Sequence, residues 1–189
     1  MKLYIKYMVS IRCKMMVKDE LKKLGIRYVN VDLGEAEIME DITDEQRKKI
    51  KTALLKLGLE LMTDKRAMLI EKIKTAIVEM IHYTEELPKT NFSDFLSKKL
   101  DYDYTYLSNL FSETEGTTIE QFILRHKIER VKEFIIYDEL SLTEIAEKLH
   151  YSSVSHLSNQ FKKITGLTPS FFKSLKNKRR STLENVWIM

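Results

Sequence analysis

The stretch that most constrains the fold of this chain covers residues 141–172, where two short helical patterns follow each other after a brief interruption. Ser141 and Glu144 have the spacing of a capping box, which opens a helix. Apolar residues then recur at helical spacing until the interruption near residue 150. Two short helices joined by a few residues predict a helix-turn-helix at about 141–166.

The second helix of this pair has well-marked ends. Ser152 or Ser153 can cap its start, and Gly166 can end it because glycine adopts a positive φ easily. Thr168 and Pro169 then restart the chain as a further helix. The residues expected to share its buried stripe are Val154, Leu157, Phe161 and Ile164.

The opposite face of this second helix is polar. Short hydrogen-bonding side chains followed by cations suit base edges and phosphates in a major groove of double-stranded DNA. The alternative is an ordinary helical hairpin with a solvated polar face. The candidate DNA-binding residues are Ser153, Ser155, His156, Ser158, Asn159, Lys162 and Lys163.

The same pattern occurs a second time, 50 residues earlier. Leu107-Ser108-Asn109 matches Leu157-Ser158-Asn159, and phenylalanine and glycine recur at the same shift. An internal repeat of this kind predicts two copies of one unit, with a first helix-turn-helix at about 92–116. Between the copies, 119–137 is predicted to be one joining helix, because it has an unbroken helical period without Gly or Pro, and Glu129 is expected to be exposed on it.

The outward positions of the first copy differ in chemistry, since none is Lys or Arg. Asp101 and Asp103 lie at the helix start, where they can cap the helix but would also repel phosphates. Tyr102, Tyr104 and Tyr106 are expected as packing residues near that start, although Tyr106 is also an outward position. The candidate DNA-binding residues here are Thr105, Tyr106, Ser108, Asn109 and Ser112.

The pattern I-A-x-x-L-x-Y-S-S-x-S-H-L-S-N-Q-F-K-K-x-T-G-L-T-P-S-x-F resembles the second helix-turn-helix of AraC-family transcription regulators, and residues 92–124 resemble the first. The resemblance implies a bacterial, cytoplasmic protein that binds double-stranded DNA and regulates transcription. It also implies that a long helix joins the two units. A rigid joining helix would let one chain enter two successive major grooves, about 34 Å apart.

The charge distribution agrees with a polyanion partner for the C-terminal part. The net charge of the chain is +4, and residues 141–189 alone carry eight Lys and Arg against three Asp and Glu. Lys173 and Lys176 are candidate phosphate contacts in a basic segment that could equally be a solvated end. The last residues, 181–189, form a tail with an apolar end that could dock on the protein or on a partner.

The N-terminal part alternates differently. Apolar residues recur at strand spacing near 3–9, 29–33, 36–40 and 59–62, with helical stripes between them, which predicts the order β-α-β-β-α-β of a ferredoxin-like domain at 1–64. Residues 3–63 resemble heavy-metal-associated domains, which hold a soft metal with two cysteines in C-x-x-C. Here Cys13 fills the first position and Met16 the second. A thiolate and a thioether could hold Cu(I) loosely, but both residues are expected to cover the core instead, so no metal or other cofactor is predicted.

A helical pattern at 65–88 is expected to connect the two domains or, alternatively, to pair with itself in a dimer, and Pro88 marks its end. The predicted fold class is therefore α+β: a ferredoxin-like βαββαβ domain, a connecting helix, and an all-α domain at 89–180 with two helix-turn-helix units.

Catalytic motifs are missing from the sequence. The four histidines are scattered, and there is no phosphate-binding glycine loop and no G-x-S-x-G. The chain is therefore expected not to be an enzyme. No apolar run is long enough for a membrane span. The alternative function is a soft-metal sensor or carrier acting through the N-terminal domain, which could also hold a second copy or another protein.

Overall fold

The computed structural model describes residues 1–84, 90–138, 140–175 and 183. The chain forms two compact units, residues 1–76 and 77–189, and the division between them falls within a helix. Together the elements make an α+β protein with one four-stranded antiparallel sheet and a helical region, as the sequence predicted. The predictions for Pro88, for Lys176 and for the apolar end of the tail fall outside the described residues.

The first unit has a sheet with strand order β2-β3-β1-β4, in which every pairing is antiparallel. A capping box formed by Thr43 and Gln46 opens its second helix. The third and fourth strands are shorter than the sequence pattern predicted. The elements in chain order are β1 Lys2–Lys6, α1 Ile11–Lys23, β2 Tyr28–Asp32, β3 Glu35–Ile38, α2 Asp44–Lys56 and β4 Glu60–Met62.

The core of the first unit lies where α1 and α2 pack on the sheet. Leu3 and Ile5 alternate inward from β1 and meet Val17 of α1. The strand spacing near 29–33 predicted that Val29 and Val31 share a face, but Val29 is exposed and Val31 is buried, because the register between β2 and β3 shifts between Tyr28 and Asn30. The extra residue of such a bulge turns the side chains that follow to the other face.

A third helix, α3 (Lys65–Val78), continues the chain after the sheet. Lys72 Nζ lies 3.4 Å from the hydroxyl of Tyr4 and 4.6 Å from its ring centroid, and Tyr4 points away from the core that Leu3 and Ile5 enter. The helix predicted in this region is present, but its last turn, Glu79–Tyr83, is π-helical. This segment buries three consecutive residues, Met80, Ile81 and His82.

The second unit is helical, and its helix ends agree closely with the sequence. Ser141 and Glu144 form the predicted capping box, Ser153 rather than Ser152 caps the following helix, and Gly166 ends it at φ +78°. The joining helix has the predicted bounds. The elements are α4 Phe92–Leu100, α5 Tyr104–Glu115, α6 Ile119–Tyr137, α7 Leu142–Lys148, α8 Val154–Thr165 and α9 Pro169–Ser174.

The internal repeat is also a repeat of packing. Phe111 of α5 meets Phe122 of α6 edge to face, with ring centroids 5.5 Å apart at 64°. Phe161 of α8 meets Phe172 of α9 at 5.5 Å and 63°. Each helix-turn-helix therefore closes on the helix after it through the same aromatic pair.

Two burial predictions for this unit were wrong. Glu129 was expected to be exposed on α6, but only 5% of it is exposed, and its carboxylate accepts a hydrogen bond from Lys132 Nζ at 2.5 Å. Ile164 was expected in the buried stripe of α8, but it is 39% exposed because the stripe is already filled by Leu157 and Phe161. Within the described residues, none of the helices is long and apolar enough to span a membrane.

Candidate nucleic-acid interface

The outward face of α8 is polar and its inward face is closed. Leu157 and Phe161 are fully buried, whereas Ser155, His156 and Asn159 are exposed. Ser158 is half-buried beside them. The exposed lysines Lys162 and Lys163 lie in the last turn, where cations also favour the negative end of the helix dipole. Ser153 is exposed as well, but its hydroxyl is used as the helix cap and accepts from the backbone of His156 at 3.0 Å.

His156 is held from both sides of its ring. Its Nδ1 lies 3.0 Å from the hydroxyl of Ser152, and its Nε2 lies 3.5 Å from the side-chain nitrogen of Gln160. The Tyr151 ring stands edge-on at 5.4 Å. The sequence pattern singled out His156 but missed Ser152 and Gln160 as the residues that fix its position.

The outward face of α5 has the same layout with different chemistry. Thr105 and Asn109 are exposed and Ser108 is half-buried, as at the matching positions of α8, whereas Ser112 is half-buried and its counterpart Lys162 is exposed. The helix contains no Lys or Arg. Asp103 caps the helix by accepting hydrogen bonds from two backbone amides at 2.8 and 3.2 Å, and therefore places a carboxylate at the end that would face phosphates.

The three tyrosines at the start of α5 separate into two roles. Tyr104 packs inward, and its hydroxyl donates to the Glu120 carboxylate at 2.5 Å. Burial, and then that carboxylate, raise the pKa of Tyr104. Tyr106 is 46% exposed, as its outward position predicted. Tyr102, which was expected to be a packing or helix-entry residue, is 48% exposed, and the two rings stack on each other with centroids 5.6 Å apart at 20°.

One lysine connects both helix-turn-helix units to the joining helix. Lys127 Nζ on α6 donates to the backbone carbonyl of Leu149, at the end of α7, at 2.8 Å. The same ammonium lies 5.1 Å from the Phe92 ring at the start of α4 and 5.2 Å from the Tyr151 ring. Burial lowers the pKa of Lys127 to about 8. This contact fixes both units against the same point of α6, and the sequence analysis did not anticipate it.

A buried histidine pair lies where the π-helical segment packs on α6. The Nε2 of His82 and the Nδ1 of His126 are 3.2 Å apart, and the His126 ring lies 4.5 Å from that of Phe122. Burial lowers the pKa of His126 to about 4. A neutral His126 is therefore part of the packing that supports the first recognition helix.

The remaining candidates are divided between the two units. Lys173 is exposed on α9 and pairs with Asp138 at 2.5 Å. In the first unit, Cys13 Sγ lies 3.3 Å from the hydroxyl of Ser10, and Met16 is partly exposed. Among the residues that the structure describes, no three His, Cys, Asp or Glu side chains are grouped as a metal site. The expectation that Cys13 and Met16 hold no metal stays a prediction, and soft-metal binding stays its alternative.

These features define a class of domain in which one joining helix carries two helix-turn-helix units. Residues 96–174 match a protein-family model described as a helix-turn-helix domain, which supports the AraC-type resemblance of this segment.

Two similar proteins come from the bacterium Bacillus subtilis. YtdP of Bacillus subtilis, described as an uncharacterized HTH-type transcriptional regulator, is 28% identical over 106 residues, or 56% of this chain. YesN of the same organism, an uncharacterized transcriptional regulatory protein, is 37% identical over 70 residues, or 36% of this chain. The matches span only 14% and 19% of those two proteins. The C-terminal domain of AraT, a response regulator from Geobacillus stearothermophilus, has 18% identity, covers 63% of this chain and 92% of that domain, and gives a TM-score of 0.50, which shows a shared fold.

Proposed function

We propose that this chain is a sequence-specific DNA-binding transcription regulator of the AraC type, in which α5 and α8 enter successive major grooves of double-stranded DNA. The observation that carries the proposal is the repeated geometry of the two units. Each has a buried apolar stripe, an outward polar face, and the same aromatic pair that locks it to the following helix.

The joining helix supports the two-groove arrangement. It has 19 residues and would therefore be about 28 Å long, close to the ~34 Å between successive major grooves on one face of the duplex. Lys127 links both units to this helix through Leu149 and the rings of Phe92 and Tyr151. A fixed spacing between recognition helices allows a single chain to bind a two-part site.

The charges favour α8 as the stronger binding element. Lys162 and Lys163 can contact phosphates beside the groove, and each neutralised phosphate releases counterions and adds affinity. Lys173 would have to leave Asp138 before it could do the same. On α5, Asn109 is the best donor and acceptor for a base, and the side chain of asparagine matches adenine.

The first unit is proposed to be a ferredoxin-like domain without catalytic activity, which binds an effector, a second copy or another protein. Its element order and its sheet order β2-β3-β1-β4 support that arrangement. Because the bacterial proteins that resemble this chain are named as regulators, we propose that the chain acts on DNA in the bacterial cytoplasm.

Selection of bound sequences from a random DNA pool tests the proposal directly. The parent chain should enrich a two-part site, and Asn159→Ala should lower discrimination at one or two base pairs by about 1–3 kcal/mol. Asn91→Ala is the matched control, because Asn91 is exposed at the start of α4 and its side chain makes no capping bond. The proposal fails if the parent enriches no sequence or if the two variants behave alike.

The salt dependence of binding tests the assignment of phosphate contacts. Lys162→Ala with Lys163→Ala should weaken binding to every sequence and reduce the logarithmic salt slope by roughly one unit per lost phosphate contact. Lys148→Ala, at the end of α7, is a control that removes one exposed cation from the same unit but outside α8. An unchanged slope in the double variant would show that α8 does not lie along the phosphates.

A further inference from the structure

The two recognition helices each hold their third residue by a contact from the residue two positions before the helix. In the first helix-turn-helix, that contact is the stacking of Tyr102 on Tyr106. In the second helix-turn-helix, 50 residues later, Ser152 occupies the position of Tyr102 and His156 that of Tyr106. The hydroxyl of Ser152 lies 3.0 Å from the Nδ1 of His156. The two positions that meet are the same, but the contact is ring stacking in one case and a hydrogen bond in the other, and the group presented is different.

In the first helix-turn-helix, Tyr106 presents a large exposed aromatic surface. About half of the Tyr106 side chain is accessible at the leading end of α5, next to the exposed Thr105 and Asn109. Exposed tyrosines normally sample several rotamers, but the stacking partner limits that freedom. A fixed aromatic ring can bury apolar surface on a ligand with a small loss of conformational entropy.

The charges near α5 and α8 also differ. No cation is available on α5, and the capping carboxylate of Asp103 disfavours close approach of phosphates. On α8, Lys162 and Lys163 favour that approach. Apolar contact with a base is therefore the main favourable interaction that the ring of Tyr106 can add to the polar contacts of Thr105 and Asn109.

The base that offers an apolar group in the major groove is thymine, through its 5-methyl group. The imidazole of His156 offers hydrogen-bonding nitrogens instead.

We propose that Tyr106, positioned by Tyr102, recognises a thymine methyl group in the half of the site bound by α5. This inference rests on the proposed function and adds the base class and the chemistry of one half-site. The contact of Tyr106 with this methyl group is apolar and adds nothing to the salt dependence of the complex, which comes from the lysines of α8.

Substitution of deoxyuridine for thymine tests this, because it removes only the 5-methyl group. In the selected two-part site, each thymine is replaced in turn and the affinity of the parent chain is measured. One replacement in the α5 half should weaken binding by roughly fourfold, the equivalent of one buried methyl group. In Tyr106→Ala the same replacement should have no effect, and the salt slope should equal that of the parent.

Two further variants separate positioning from general damage. Tyr102→Phe keeps the stacked ring and should retain the preference for thymine over uracil, while Tyr102→Ala should lose most of it at an unchanged salt slope. Tyr137→Ala is the matched control, because that tyrosine is 62% exposed at the end of α6, outside both recognition helices. Circular dichroism and thermal melting confirm that each variant is folded.

The outcomes distinguish this inference from the proposed function. If the parent binds no preferred sequence, the proposed function fails. If the parent binds its two-part site selectively but no thymine in the α5 half responds to removal of the methyl group, the assignment of Tyr106 is overturned. The parent alone decides this point, so the result does not depend on whether a variant folds.

Discussion

His126 should make the helical unit less stable in acid. Its ring is fully buried against Phe122 and contacts His82, and burial lowers its pKa from the ordinary 6.5 to about 4. The folded state therefore disfavours the charged imidazole, while the unfolded chain accepts a proton at the ordinary pKa. The resulting stabilisation is fully present above pH 6.5 and is lost as the pH falls through 4.

The size of the effect follows from the gap between the two pKa values. A gap of about 2.5 units corresponds to about 3.4 kcal/mol of unfolding free energy when the loss is complete. Linkage places about 2 kcal/mol of that loss at pH ~5 and about 3 kcal/mol at pH ~4. This is a substantial part of the 5–15 kcal/mol or so that is typical of a folded domain.

Urea unfolding followed by far-UV circular dichroism measures this loss from about pH 7 to about pH 4. Other groups also titrate in that range, so the quantity to compare is the parent minus His126→Gln. Glutamine keeps an amide that can bond to His82 and does not titrate. His150→Gln is the control at an exposed histidine. If the parent and His126→Gln lose stability with the same pH dependence, the buried neutral imidazole is not what the acid attacks.

Two other predictions concern stability. Gly34→Ala should lower the melting temperature more than Gly25→Ala. Both glycines have a positive φ, but of the two only Gly34 would bring an added Cβ within 3.0 Å of a heavy atom, the hydroxyl oxygen of Thr75. Equal losses in thermal melting would show that this contact is harmless. Glu129→Gln should lower the free energy of unfolding by about 1–3 kcal/mol, because it removes a buried charge-assisted hydrogen bond. Glu113→Gln at the surface should change it by less than about 0.5 kcal/mol, and urea titration measures both.

Local signals in the sequence were sufficient for the helix ends and for the repeat, because caps depend on residues within one turn. Ser141, Gly166 and the bounds of α6 could all be predicted for that reason. Burial depends on tertiary neighbours, so the exposure of Glu129 and of Ile164 could not be predicted from the sequence.

The candidate site shows the same division. The outward residues of α8 follow from helical period, but their supports do not. The contact of Lys127 with the carbonyl of Leu149 spans 22 residues, and the His82–His126 contact spans 44. The shift in β2 that exposes Val29 arises from the pairing of two strands, which strand spacing alone does not reveal.

The unequal chemistry of α5 and α8 gives the bound chain a direction. A regulator with two equal recognition helices could lie either way along its site, but here one helix has lysines in its last turn and the other has an acidic cap and a stacked tyrosine pair. With DNA bound as proposed, reversing the chain would place each helix on the other half of the site. In the proposed complex, the order of the two half-sites in the operator would therefore set the direction in which the helical unit lies relative to the start of transcription.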